Sequence, residues 1–408
     1  MANSSDPLSD DPAVDASRLL ARLGYVVLAL GAPCAEVMSS RAIFIFFPIG
    51  VALLLTASAL DPAPGFVDRV RWAATAPLTW AVLGLLAWAG LSLAWTPFIS
   101  DGSQHLLKLS ATILATFIVI AGAREHMRAT DLYMFPIGVL LAMIAILVSA
   151  LARREYLDGD LPNLEHSGVA LVVLLFPAMG CLAARGRNGL ARLLMILALA
   201  FIFAFGSPTT VIALLVGFTA LSFAISDAER TVFDLGIAAA AVILLAPILP
   251  GISPTLSHWF YHSKLSSLPE PFPPLAVAAD IVLHDPARLL TGRGVDAAIK
   301  GMETGLLPAR IPRVIPFEIW YELGIVGAIL SASAAWLGFQ ALCRSGERVA
   351  PYLIAALAAN LALGILVMDF SQMWWINLLA VSGIAANGAV RSQYRTSRPP
   401  AYRHSPAL

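Results

Sequence analysis

Apolar runs of about twenty residues recur from one end of this chain to the other, and a helix of ~17–25 such residues is what crosses a hydrocarbon core. Residues 211–225, VIALLVGFTALSFAI, are apolar all round. A barrel strand would alternate apolar with polar, so the run reads as a helix in lipid. Comparable runs lie near 23–38, 42–60, 76–95, 106–122, 132–151, 167–184, 190–206, 208–225, 232–250, 317–342, 350–368 and 372–390. Only 13% of residues are charged and 59% are hydrophobic, whereas a soluble domain carries about a quarter charged. The expected fold is all-α and polytopic, with about 12 transmembrane helices and one long external loop. The first pair of runs is interrupted by Pro33, Glu36 and Arg41. It reads either as two spans or as a broken, re-entrant hairpin.

Basic residues set the orientation, because cytoplasmic loops carry an excess of Lys and Arg. With the N-terminus inside, the inner segments hold Arg18, Arg22, Arg69, Arg71, Arg124, Arg128, Arg185, Arg187, Arg192, Arg230, Arg344, Arg348, Arg391, Arg395, Arg398 and Arg403. The short outer loops then hold only Arg41, Arg153 and Arg154. Both termini are therefore expected in the cytoplasm. The chain divides into a polar tail over 1–17, nine spans over 18–250, an outer loop over 251–316, three spans over 317–390 and a basic tail over 391–408. The start lacks the basic and apolar layout of a secretory signal. Cys34, Cys181 and Cys343 lie far apart with no metal-ligand spacing, so no disulfide and no metal site is expected. A formal net charge of zero leaves no footprint for nucleic acid.

The outer loop is the place for chemistry. It far exceeds the ~12–15 residues beyond which a loop without a role is uncommon. Its cationic and imidazole groups are His258, His262, Lys264, His284, Arg288, Arg293, Lys300, Arg310 and Arg313, against Glu270, Asp280, Asp285, Asp296 and Glu303. Residues 275–290 have the apolar spacing of a helix lying on a membrane surface. A basic loop held against the bilayer suits an anionic lipid headgroup such as a pyrophosphate, whose oxygens arginine binds bidentately. Arg293 stands between two glycines, which let backbone approach a ligand closely or simply make a turn. Glu322 falls inside a span, where a carboxylate is a functional hypothesis by default; Lys108 or His105 is a candidate structural partner for it. Asp369, at an outer helix end, is expected to be solvated. His258 and His262 share a helix face, but two ligands make a weak metal site, and the aromatic residues between them suit a membrane interface.

Residues 289–330 read LLTGRGVDAAIKGMETGLLPARIPRVIPFEIWYELGIVGAIL. This stretch resembles the O-antigen ligase and polymerase family of bacterial inner membranes, in which a G-x-G closes a periplasmic loop and a span then opens with W-x-E-L-G-x-x-G. Here Trp320-Tyr321-Glu322-Leu323-Gly324-Ile325-Val326-Gly327 fits that opening. Residues 88–112, the region from His166-Ser167-Gly168 to Ser207-Pro208-Thr209-Thr210, and residues 369–381 are also similar to the family. The resemblance implies a multi-pass inner-membrane glycosyltransferase that works without a cofactor or metal. It implies a saccharide taken from undecaprenyl diphosphate and passed to lipid A core or to a growing polysaccharide. Arginines would hold the diphosphate and a histidine would activate the acceptor hydroxyl. A cleft is expected between the loop and the spans near 106–122, 167–184 and 317–342, open sideways to lipid.

The sequence also departs from the family pattern. The family's His-Asn pair falls on Arg313-Val314, and a guanidinium cannot serve as a base. A family arginine falls on Ser207-Pro208-Thr209, and the region 268–280 has no basic residue to supply another. Three readings stay open. The substrate-binding clamp is relocated to Arg288, Arg293, Arg310 and Arg313, with catalytic roles among His258, His262, His166 and Glu322. Or the substrate needs no base. Or the chain is a degenerate homologue that binds glycan without turnover. A multi-span transporter is the rival class, although no half-to-half repeat is visible and the charges sit at span ends.

Overall fold

The computed structural model describes residues 12–39, 41–62, 65–122, 129–152, 162–248, 281–283, 285–308, 311 and 313–392. Among these residues every regular element is helical, and the chain is an all-α, multi-pass membrane protein. Among the described residues eight helices are long and apolar enough to cross a bilayer, or nine if a pair bent by 66° is one span. All of the apolar runs read from the sequence fall on helices. The runs that miss the strict measure do so for visible reasons. The first is broken by a π-helical turn at Val27–Gly31, between α1 (Pro12–Val26) and α2 (Ala32–Met38). The ninth carries Glu229, Arg230 and Asp234 in its opening turns, and the eleventh is 17 residues long. The bent pair is α4 (Phe66–Ala74) with α5 (Pro77–Ser92).

The remaining helices up to the outer loop are α3 (Ile43–Leu60), α6 (Ile99–Gly122), α7 (Ala129–Ala152), α8 (Pro162–Ala184), α9 (Asn188–Phe205), α10 (Pro208–Ser226) and α11 (Ala228–Leu245). Two short helices follow, α12 (Pro286–Thr291) and α13 (Ala297–Glu303). The last spans are α14 (Ile315–Glu318), continued through a π-helical turn at Ile319–Leu323 into α15 (Gly324–Leu342), then α16 (Ala350–Leu366) and α17 (Met373–Ser392).

One helix is the axis of the bundle. Residues 167–184 of α8 are buried throughout, ringed by α7, α9, α10, α16 and α17. A helix apolar on all sides has no face to give to water, so it is enclosed. Small residues let its neighbours close in: Gly217 of α10 faces the Phe176 ring and Ala359 of α16. A second packing unit joins α11 to α15 and α15 to α5. Its core of Ile243, Phe317, Trp320 and Ala328 continues into Ala297, Ala298 and Leu307 of the outer loop. The loop is thereby a packed layer over the start of α15.

Candidate functional site

The site is built where the Gly292-Arg293-Gly294 turn meets the π-helical turn before α15. A π turn takes its hydrogen bonds one residue further along and displaces its carbonyls from the α-helical ladder. Three carbonyls at its end receive donors from elsewhere. The Arg293 N–H donates to the Tyr321 oxygen at 2.9 Å, and the Gly294 N–H to the Glu322 oxygen at 2.8 Å. The Trp88 indole N–H of α5 donates to the Leu323 oxygen at 2.9 Å. Glycine is required on both sides of the junction. Gly292, Gly294 and Gly324 have φ of 72°, 94° and 65°, which an L side chain rarely adopts. A Cβ at Gly292 would collide with the Glu322 carbonyl, and one at Gly324 would lie 2.6 Å from the Leu290 oxygen. The loop's next residues dock on the end of α5 and the turn after it: Thr96 Oγ1 donates to the Val295 oxygen at 2.9 Å, and the Val295 N–H donates to Ser92 Oγ at 3.2 Å. Trp320 closes the other side, its indole N–H donating to the Ile243 oxygen at 2.7 Å. That carbonyl lies in the last turn of α11, where the helix has no partner of its own to offer.

Beneath the junction lies a group of buried acids and one imidazole. Asp296, Glu318, Glu322 and Asp369 are each less than a tenth exposed. Glu322 accepts the Ala298 N–H at 3.0 Å, and Glu318 accepts the Phe370 N–H at 2.6 Å. Asp369 accepts the Ser371 hydroxyl at 2.5 Å and the Gln372 N–H at 3.1 Å. His105 of α6 bridges two of these segments, with Nδ1 2.7 Å from Asp296 Oδ1 and Nε2 2.9 Å from the Phe370 oxygen. At the rim, Lys300 of α13 reaches Glu303 at 2.9 Å and Asp101 of α6 at 3.6 Å. The Glu303 carboxylate beside it holds the Lys300 ammonium above the ordinary lysine range.

The expected site residues divide. Arg293 is brought to the junction: its guanidinium is half-buried, 3.8 Å from Asp285 and 5.2 Å from the centre of the Tyr321 ring. Arg288, on α12, and Arg313, just before α14, are exposed. His166 is half-buried at the start of α8, with its ring 4.9 Å from that of Trp374. The turn before Trp374 carries Asp369 and Phe370, so one run of contacts links His166, through that turn, to His105 and Asp296. His258, His262 and Arg310 lie outside the described residues, as do 251–280, which hold much of one wall of the expected cleft.

Two expectations need correction. Asp369 is not solvated: it is buried, because its turn folds under Glu318 and its carboxylate caps its own backbone. Neither Lys108 nor His105 is the hydrogen-bond partner found for Glu322. Lys108 is exposed, His105 is committed to Asp296, and Glu322 instead accepts from the first turn of α13. The Ser207-Pro208-Thr209 stretch has a local explanation as a helix start. Ser207 Oγ accepts the Thr210 N–H at 3.4 Å, and proline occupies the first turn, where its missing N–H costs nothing. The pairing of His105 with Asp296 was missed because 191 residues separate them. The only hint was an imidazole near the end of a span.

Chemically, the junction offers one guanidinium beside an aromatic ring at the surface, rigidly seated on backbone hydrogen bonds. Below it, the carboxylates are occupied by backbone donors and by His105. Among the described residues no group of three or more His, Cys, Asp or Glu side chains is arranged to hold a metal ion. Comparison with known proteins finds no matching family model, no matching curated protein and no matching solved structure.

Proposed function

We propose that this chain is a bacterial inner-membrane glycosyltransferase of the O-antigen ligase type, which moves a saccharide from undecaprenyl diphosphate to an acceptor outside the cytoplasmic membrane. Both termini would lie in the cytoplasm and the Gly-Arg-Gly junction would face outward. One observation carries the reading. The two motifs behind the resemblance, G-x-G and W-x-E-L-G, lie 26 or more residues apart yet are bonded to each other, and the bonded turn holds Arg293 at the surface.

The chemistry follows from that placement. The acceptor hydroxyl oxygen attacks the anomeric carbon, the bond from that carbon to the diphosphate oxygen breaks, and the diphosphate leaves with the electron pair. A leaving group that gains charge in the transition state is stabilised by a fixed cation that needs no reorganisation. Arg293 meets that need, with Arg288, Arg310 and Arg313 as further phosphate contacts. The hydroxyl proton passes to a histidine acting as general base, drawn from His166, His258 and His262. Glu322 positions the loop through Ala298 rather than taking that proton. The acceptor is lipid A core or a growing polysaccharide chain.

The test is turnover by purified protein in liposomes loaded with a cell-derived pool of undecaprenyl-diphosphate glycans. Release of the lipid diphosphate is expected from wild type, falling about tenfold or more in Arg293→Ala as a charge-assisted contact is lost. Bound donor without release would identify a glycan-binding homologue. Neither binding nor release would refute the proposal and leave the transporter class in front.

A further inference from the structure

We propose that His105 and Asp296 form a proton-dependent latch that holds the Gly292–Asp296 turn, and with it Arg293, against the bundle. Two hydrogen bonds of one ring make the latch. The Phe370 carbonyl is an acceptor only, so Nε2 of His105 carries a proton. Nδ1 faces Asp296 Oδ1 at 2.7 Å, which is a hydrogen bond only if a second proton lies between them. That proton sits on the ring with Asp296 ionised, or on Asp296 with the ring neutral. In either case the bridge holds one proton more than the Phe370 bond requires. When it is removed, the Nδ1 lone pair faces a carboxylate at contact distance in a buried place, and attraction becomes repulsion.

The latch is well placed to govern the junction. Asp296 follows Gly294 by two residues and has φ of 64°, so it is the last of the strained positions in the turn. Its ring partner also grips Phe370, whose N–H is held by Glu318. Three segments distant in sequence therefore converge on one imidazole: α6, the loop, and the turn between α16 and α17. The ionisable groups around it are Asp296 on the loop, Glu318 and Glu322 on α14 and its π turn, Asp369 on the α16–α17 turn, and Asp101 and Lys108 on α6 itself. Two cations of the loop are engaged with other carboxylates, Arg293 with Asp285 and Lys300 with Glu303 and Asp101. Loss of the shared proton thus adds negative charge beside a cluster of buried acids. That Arg293 meets a diphosphate rests on the transferase reading. The latch is a statement about how the turn is held, and it is read without any substrate.

Hydrogen exchange of the 292–300 backbone in detergent-solubilised full chain is the measurement, at about pH 6 and about pH 10, on either side of ordinary histidine values, corrected for the chemical effect of pH. The reporting amides are Arg293, Gly294 and Ala298, which donate to Tyr321, Glu322 O and Glu322 Oε1. Wild type is expected to lose protection on the order of tenfold at the alkaline end, as a charge-assisted bond is lost. Asp296→Asn is the decisive variant. Asparagine tolerates the positive φ, and its amide N–H donates to a neutral ring that still donates to Phe370. The turn should therefore stay protected at both pH values. His105→Phe, which can make neither bond, should lose protection at both. A wild-type turn equally protected at both pH values would overturn the latch. So would an Asn variant that follows wild type, or a folded Phe variant that stays protected throughout.

Discussion

At the residue scale, the seated turn depends on glycines that are forced by geometry and not merely tolerated. Gly292 combines a positive φ with a position where a Cβ would collide with the Glu322 carbonyl, while Gly305 has φ of 75° and open space around it. The pair separates backbone strain from collision. Gly305→Ala should cost about 1 kcal/mol, the price of a left-handed alanine. Gly292→Ala should cost about 3 kcal/mol or more and release the turn. Limited trypsin digestion checks this at a bond the enzyme can cut, the one after Arg293. Faster cleavage is expected in Gly292→Ala and wild-type resistance in Gly305→Ala. The two glycines of the motif were visible in the sequence, but their partner was not. Nothing local in G-R-G says that its N–H groups are meant for carbonyls freed by a π turn almost thirty residues later. Only the resemblance put the two motifs in one site. The His105–Asp296 bridge was less legible still, since a lone histidine beside a span reads equally well as an interfacial group.

At the element scale, the helices were legible because burial in lipid is a property of every residue in a run, so errors at single positions average out. The first span was legible as a problem. Pro33, Glu36 and Arg41 marked an interruption, and the structure puts a π turn at Val27–Gly31 and the end of α2 at Met38. This segment packs so closely on α7 that a Cβ at Gly138 would collide with the Ala29 carbonyl oxygen. Within it Glu36 is 2% exposed, and neither carboxylate oxygen has a hydrogen-bond partner among the described residues. A buried polar group without a partner costs free energy that an apolar group of similar size does not. Glu36→Met should therefore stabilise the protein by about 1–3 kcal/mol, read as a higher melting temperature in detergent. A lower melting temperature would mean that Glu36 has a polar partner or ligand in the working protein.

At the scale of the whole molecule, two packing units share one loop layer. The first is built round α8, and the second joins α5, α11 and α15. Contacts from both reach the turn that follows α12: the end of α5 and the segment after it through Ser92 and Thr96, and the α16–α17 turn through Phe370, by way of His105 on α6. The turn is thus held by the bundle on several sides, which is what a rigid anion site needs. A cation fixed before its ligand arrives loses little entropy on binding. Composition identifies a membrane protein, and loop length points to the segment for a site. How the loop is seated depends on contacts between residues up to 265 apart, and no local pattern encodes those.

The central claim is that the seated turn presents Arg293 to a lipid-linked diphosphate, and donor binding tests it most directly. Native mass spectrometry of the purified protein with undecaprenyl diphosphate should show a bound lipid that survives in Arg293→Lys with reduced occupancy. In Arg293→Ala the affinity should fall about tenfold or more, while Arg288→Ala, altering an exposed side chain on α12, should fall less. Equal binding by wild type and Arg293→Ala would contradict the account, because the guanidinium would then be a surface charge paired with Asp285 and nothing more.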